Sequence, residues 1–132
     1  MKLFIADDNV EFGRMCAEVA RREGWNVALC SNGRELLALL SDLDEPALVL
    51  CDINMPEVDG IEVIRTLADP GHLLRFRFVT GGSMSNALAA RLIGQARDIQ
   101  VGKYLAKPVT LADLRKMLQD EAQLLTAASD DR

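Results

Sequence analysis

The chain has 132 residues, 49% of them hydrophobic and 27% charged, with a net charge of −5. That is one soluble globular domain with enough chain to bury a core unaided, and its acidic balance, without a basic run, argues against direct nucleic-acid binding, which needs Lys and Arg to neutralise phosphates. No apolar run approaches the roughly 20 residues that cross a bilayer, and Lys2 introduces no leader or cleavage pattern, so a cytoplasmic protein without membrane association is expected.

In chain order, Met1 to Ala6 is a short apolar run. It predicts strand 1 over Leu3-Phe4-Ile5-Ala6 and ends in Asp7-Asp8. Helix 1 follows with Phe12, Cys16, Val19 and Ala20 on one face, and Gly24 closes it. Trp25 to Leu29 reads as strand 2. Asn32 and Glu35 form a capping box for helix 2, whose apolar residues are Leu36, Leu39, Leu40 and Leu43. After Pro46 comes Ala47-Leu48-Val49-Leu50-Cys51-Asp52. Its unbroken apolar run predicts strand 3, buried on both faces as in a parallel sheet. Pro56 cannot continue a ladder, and Asp59-Gly60 makes the turn into helix 3, which carries Ile61, Ile64 and Leu67 and stops before Pro70. Strand 4 runs to Val79 and delivers Thr80-Gly81-Gly82, with Arg75 and Arg77 oddly polar at its start. Ser83 or Ser85 is the expected cap of helix 4, with Leu88, Leu92, Ala96 and Ile99 turned inward. Gly102 separates that helix from strand 5, Tyr104-Leu105-Ala106, which ends in Lys107-Pro108. Thr110 and Asp113 open helix 5, with Leu111, Leu114, Leu118 and Leu125 as its apolar residues. The cysteines Cys16, Cys30 and Cys51 lie in apolar patterns without a CxxC spacing, as buried reduced thiols do. The end, residues 127–132, reads as a polar, frayed tail after a domain over 1–126.

Four apolar runs therefore end in polar groups: Asp7-Asp8, Asp52, Thr80 and Lys107. If the runs are parallel strands, these groups meet on one rim, where open α/β sheets bind ligands. Alternating strands and helices predict a doubly wound five-stranded parallel α/β sheet with helices on both faces. Periodicity alone gives no strand order. Each polar group also has a plain structural reading: Asp7-Asp8 as a helix N-cap, Thr80 as a β-branched strand end, Lys107 as a solvated lysine and Tyr104 as a half-buried sheet residue. Crowded carboxylates raise one another's pKa unless a cation intervenes, and hard oxygen ligands suit Mg²⁺.

From about Lys2 to about Leu125 the chain resembles the receiver domain of two-component response regulators. The resemblance rests on Asp7-Asp8, Asp52-Ile53-Asn54-Met55-Pro56 with Asp59-Gly60, Thr80, and Lys107-Pro108, in family order. The stretch from Thr80 to Lys107 is several residues longer than is usual. The resemblance implies a flavodoxin-like strand order 2-1-3-4-5, and Mg²⁺ held by Asp8 and Asp52 directly, by Asp7 through water and by the Asn54 carbonyl. It implies Asp52 as phosphoacceptor, assisted by Lys107 and by Thr80. A cis Lys107-Pro108 bond would aim the lysine inward, and Gly60 would serve structurally. Thr80 and Tyr104 would form a switch, and Asn54 and Gly82 would set the lifetime of the phosphoryl group.

The expected function is that of a stand-alone signalling module. It would accept phosphate from a sensor histidine kinase or histidine phosphotransfer protein, assist its own phosphorylation and dephosphorylation, and present the face of helix 4, strand 5 and helix 5 to a target protein. Two competing readings are an aspartate-nucleophile phosphohydrolase and a receiver-like binding module that takes no phosphate. The former resembles Asp-x-Asp-x-Thr on a first strand plus a cap insertion, for which this chain has neither motif nor room.

Overall fold

The computed structural model describes residues 1–68, 73–82 and 84–130. In chain order the elements are β1 (Lys2–Ala6), α1 (Val10–Arg22), β2 (Asn26–Cys30), α2 (Gly33–Leu40), β3 (Ala47–Asp52), α3 (Gly60–Thr66), β4 (Leu74–Thr80), α4 (Met84–Ala96), β5 (Gln100–Val101), β6 (Leu105–Ala106) and α5 (Leu111–Asp130). All pairings are parallel, in the order β2-β1-β3-β4, and β5 and β6 share the fifth position beside β4. This is the expected doubly wound sheet. Every residue of the central β3 is buried, as its apolar run predicts for a strand covered on both faces.

The two faces carry separate cores. On one, Phe4, Val49, Phe76 and Phe78 pack against Leu36 and Leu40 of α2, Val63 and Ile64 of α3, and Ala87 and Ala90 of α4. On the other, Leu3, Ile5, Leu48, Leu50 and Val79 pack against Cys16, Ala17 and Ala20 of α1 and Leu114, Met117, Leu118 and Leu125 of α5. Burial pushes the thiols up, Cys16 to about 12 and Cys30 to about 11, so these cysteines are packing residues rather than nucleophiles. Gly24, at φ +93°, closes α1 in the conformation that favours glycine. No helix among the described residues is long and apolar enough to cross a membrane.

Helix α4 departs from expectation. Leu88 and Leu92 are 58% and 56% exposed, Ala96 is also exposed, and the buried residues are Ala87, Ala90 and Gly94. The leucines repeat at helical spacing, but so do the small residues Ala87, Ala90 and Gly94 on another face of the helix, and the sheet selects the small stripe. A Cβ on Gly94 would stand 2.5 Å from Val101 Cγ2, so only small residues allow this close approach. Leu39 and Leu111 are likewise exposed, at 42% and 48%. Of the two expected caps of α4, Ser83 lies outside the described residues and Ser85 is the helix's second residue. Pro70 also lies outside them.

The fifth strand begins earlier than expected, before Gly102, and is broken. Phe76 faces Val101 and Val79 faces Leu105, so three steps on β4 match four on its neighbour. The extra residue is a bulge, a device that re-aims side chains. It contains Gly102, Lys103 and Tyr104.

Arg75 and Arg77 alternate with Phe76 and Phe78 and point toward α5. There Glu121, fully buried, receives Arg75 Nε at 2.5 Å and Arg77 Nη1 at 3.1 Å. A Cβ on Gly102 would meet Arg77 Cδ at 2.7 Å, so the glycine makes room for the guanidinium. The polar start of β4 is thus one half of a buried ion cluster. Helix α5 continues to Asp130, past the boundary expected at residue 126, while residues 131–132 lie outside the description.

Candidate functional site

Four strand ends converge as the sequence predicts. Asp52 is the last residue of β3, Asp7 follows β1, Thr80 ends β4 and Lys107 follows β6. Asp7 and Asp52 are each 4% exposed and Thr80 3%; Asp8 is exposed. Carboxylate oxygens of Asp7, Asp8 and Asp52 lie within 4.8 Å of one another. The Lys107 ammonium is 3.3 Å from Asp7 Oδ2 and 3.5 Å from Asp52 Oδ2, and the Lys107-Pro108 bond is cis.

Local backbone chemistry fixes these groups. Asp7 Oδ1 accepts the Asn9 N–H at 2.8 Å, and Asp52 Oδ1 accepts the Asn54 N–H at 3.2 Å. Both are the side-chain turn that aspartate makes two residues ahead. Thr80 Oγ1 accepts the Gly82 N–H at 3.2 Å. The Lys107 N–H donates to Thr80 O at 2.8 Å, tying the lysine's backbone to the end of β4. The cap of α1 is Asn9, which accepts the Phe12 N–H at 3.1 Å. The plain reading of Asp7-Asp8 as that cap therefore falls, and both acids are free for the rim. Asp59 caps α3 in the same way, through the Glu62 N–H at 2.9 Å. Gly60 is required where it stands: a Cβ would lie 2.8 Å from Asp52 O and 2.9 Å from Ile53 Cα.

The charges do not balance. Burial, then the negative charge of Asp7, raises the Asp52 carboxyl from 3.8 to about 6, against the opposing pull of Lys107 and the Asn54 N–H. For Lys107, burial pulls the ammonium down, but Asp52 and Asp7 outweigh it and the pKa stands above 10.5. Asp7 Oδ2 is buried and makes no hydrogen bond; the ammonium near it offers charge without hydrogen-bond geometry. An orphaned buried oxygen within a set of three carboxylates is a fitting donor set for a hard cation.

Tyr104 is not part of this cluster. It sits in the bulge, half-buried, and with Phe78, Met84, Leu88 and Val101 it lines a cavity of about 480 Å³ between α4 and the fifth strand. Asn54 is exposed beside Asp52. Gly82 has nothing within 4 Å of a would-be Cβ.

Two features escaped the sequence reading. Phe12, expected only as an inward helix residue, places its ring centroid 4.8 Å from Lys107 Nζ; no pattern in the sequence marks that contact. Glu121 did leave a signal, an acid within the apolar stripe of Leu114, Leu118 and Leu125, opposite two arginines that share one face of β4.

The family model described as the response regulator receiver domain matches residues 3–119. The response regulator receiver protein CpdR of Brucella abortus is 31% identical over 115 residues, covering 86% of this chain and 89% of that protein. The chain spans about half the length of other curated relatives that it matches. Among solved structures, a CheY-like receiver domain protein from Methanospirillum hungatei superimposes with a TM-score of 0.80 over 96% of this chain and 97% of that one, at 23% identity. A response regulator from Burkholderia pseudomallei, solved with a phosphorylated aspartic acid, calcium ion and citrate, reaches 0.74 at 26% identity over 97% of this chain and 72% of that one. The chain belongs to the response regulator receiver domains, the signalling modules of two-component systems.

Proposed function

We propose that the protein is a phosphoacceptor in which Asp52 takes a phosphoryl group from a phosphohistidine of a sensor kinase or phosphotransfer protein. The observation that carries this reading is the setting of Asp52: 4% exposed at the end of β3, with carboxylate oxygens of Asp7 and Asp8 within 4.8 Å and the Lys107 ammonium at 3.5 Å. Asp7, Asp8, Asp52 and the Asn54 carbonyl would hold Mg²⁺, which when bound supplies positive charge beside the phosphoryl oxygens. The phosphorylated aspartic acid and calcium of the Burkholderia relative support the same assignment.

An Asp52 carboxylate oxygen attacks phosphorus, the phosphorus–nitrogen bond to the donor histidine breaks, and the imidazole leaves with the bonding pair. Phosphoryl transfer asks the protein mainly for positioning and charge. Lys107 supplies positive charge at the rim, and the Thr80 hydroxyl, which accepts from Gly82, keeps its own proton to donate to a phosphoryl oxygen. Attack of water on phosphorus then returns the carboxylate and inorganic phosphate.

A hydrogen bond to a charged group contributes about 1.5–3 kcal/mol, and about 1.4 kcal/mol is tenfold in population, so Thr80 alone can shift a balanced domain. Thr80 pairs in register with Ala106, two residues beyond Tyr104, which gives the switch a path to α4, the broken fifth strand and α5. Met84, Leu88 and Leu92 are exposed on that side, and this is the face we assign to a downstream protein.

The test is intact-mass and peptide-level mass spectrometry after acetyl phosphate treatment, with and without Mg²⁺. A single Mg²⁺-dependent adduct on Asp52, absent from Asp52→Asn, is expected. An adduct that persists in Asp52→Asn removes the assignment.

A further inference from the structure

Lys107 is held loosely by its carboxylates. Its Nζ lies 3.3–3.5 Å from Asp7 and Asp52, beyond the short range of charge-assisted hydrogen bonds. Its side chain is 25% exposed, so water competes for it. A dication among the same acids would also compete for those carboxylates and repel the ammonium. What does not weaken is the uncharged ring of Phe12, reaching across from the first turn of α1 with its centroid 4.8 Å from Nζ. A cation over an aromatic face is attracted by the ring's quadrupole, more strongly where water is partly excluded.

We infer that Phe12 is a positioning residue for phosphoryl transfer: its ring retains the Lys107 ammonium at the rim, over the Asp7–Asp52 pair, before the phosphoryl group arrives. The inference rests on the phosphoacceptor reading. Phe12 touches no reacting atom and acts only through Lys107. Leucine at position 12 keeps apolar bulk against the core that Phe12 borders but has no π face, whereas tryptophan offers a stronger one.

The test is the rate of labelling by acetyl phosphate with Mg²⁺ in wild type, Phe12→Leu, Phe12→Trp, Lys107→Ala and the Phe12→Leu/Lys107→Ala double variant. A small phosphodonor keeps partner docking out of the measurement. Alongside it, the Lys107 ε-methylene proton resonances are followed in Mg²⁺-loaded, unphosphorylated protein, where the ring current of Phe12 shifts them upfield. Phe12→Leu should slow labelling about three- to tenfold and move those resonances to the position of a lysine in water. Phe12→Trp should restore both, and in the Lys107→Ala background Phe12→Leu should cause no further loss. A folded Phe12→Leu protein labelled at the wild-type rate overturns the inference, and so does an equal loss in both backgrounds. Failure of wild type itself to label would remove the phosphoacceptor reading instead, before any variant is compared.

Discussion

Two clusters of charge lie along β4, and they are balanced in opposite ways. In its first half, Arg75 and Arg77 close on one carboxylate, Glu121, at 2.5 and 3.1 Å, with Glu121 fully buried. At its carboxyl end, three carboxylates share one ammonium, whose contacts with the two buried acids are 3.3 and 3.5 Å. The interior cluster has its partners within the chain, although Arg77 Nε remains buried without a hydrogen bond. The rim cluster lacks positive charge, has an orphaned carboxylate oxygen, and carries a carboxyl raised to about 6. Two buried ionic groups in one small domain thus serve different ends. The completed one joins α5 to the sheet, and the incomplete one is where we propose that a cation and a phosphoryl group bind.

The comparison is broken most sharply from the interior side. Removing one partner of a buried pair leaves charge uncompensated and costs about 3–5 kcal/mol. Glu121→Ala, which leaves two arginines facing each other, should lose that much in denaturant unfolding, while the folded fraction still accepts phosphate at Asp52. If stability is unchanged, the cluster is not what holds α5. If labelling disappears from well-folded protein, the two clusters are not separate.

A smaller effect comes from pH. Because the folded-state pKa of Asp52 is raised, from 3.8 to about 6, the folded protein holds this proton more tightly than the unfolded chain does. Its contribution to stability is therefore greatest below about 4 and is lost as pH rises to about 6. The loss is on the order of 3 kcal/mol at most, since each pKa unit is about 1.4 kcal/mol. Metal-free wild type should lose stability across that window relative to Asp52→Asn. Parallel curves for the two proteins would show that Asp52 ionises without strain.

The smallest effect belongs to Gly82. Its φ lies outside the left-handed region and a Cβ there meets nothing within 4 Å, so the position does not demand glycine. Gly82→His should fold normally and extend the life of the aspartyl phosphate several-fold by shielding phosphorus from water. Loss of the phosphoryl group at the wild-type rate would leave Gly82 without a part in the lifetime.

The rim was legible in the sequence because each of its strands is a short apolar run that stops at a polar residue, so Asp7, Asp52, Thr80 and Lys107 could be placed on one edge before their distances were known. Other features were not legible, because they are decided between elements. Leu88 and Leu92 have the spacing of core residues, yet the sheet accepts Ala87, Ala90 and Gly94, whose stripe lies on another face of the helix. Arg75 and Arg77 had no explanation on β4 alone; their partner is 46 and 44 residues away on α5. The break at Gly102 to Tyr104 depends on a one-residue mismatch with β4, which only the pairing register reveals. The cap of α1 went to Asn9, since Asp7 spends one oxygen on the Asn9 N–H.

The central claim is that the rim cluster is short of positive charge and that Asp8, exposed beside the two buried acids, completes a cation site. Its most direct test is the melting temperature of wild type and Asp8→Ala across a Mg²⁺ titration. A ligand that binds only the folded state raises stability by mass action, so wild type should gain stability with Mg²⁺ and Asp8→Ala should not. An Asp8→Ala protein whose melting temperature climbs with Mg²⁺ as steeply as wild type would contradict the claim.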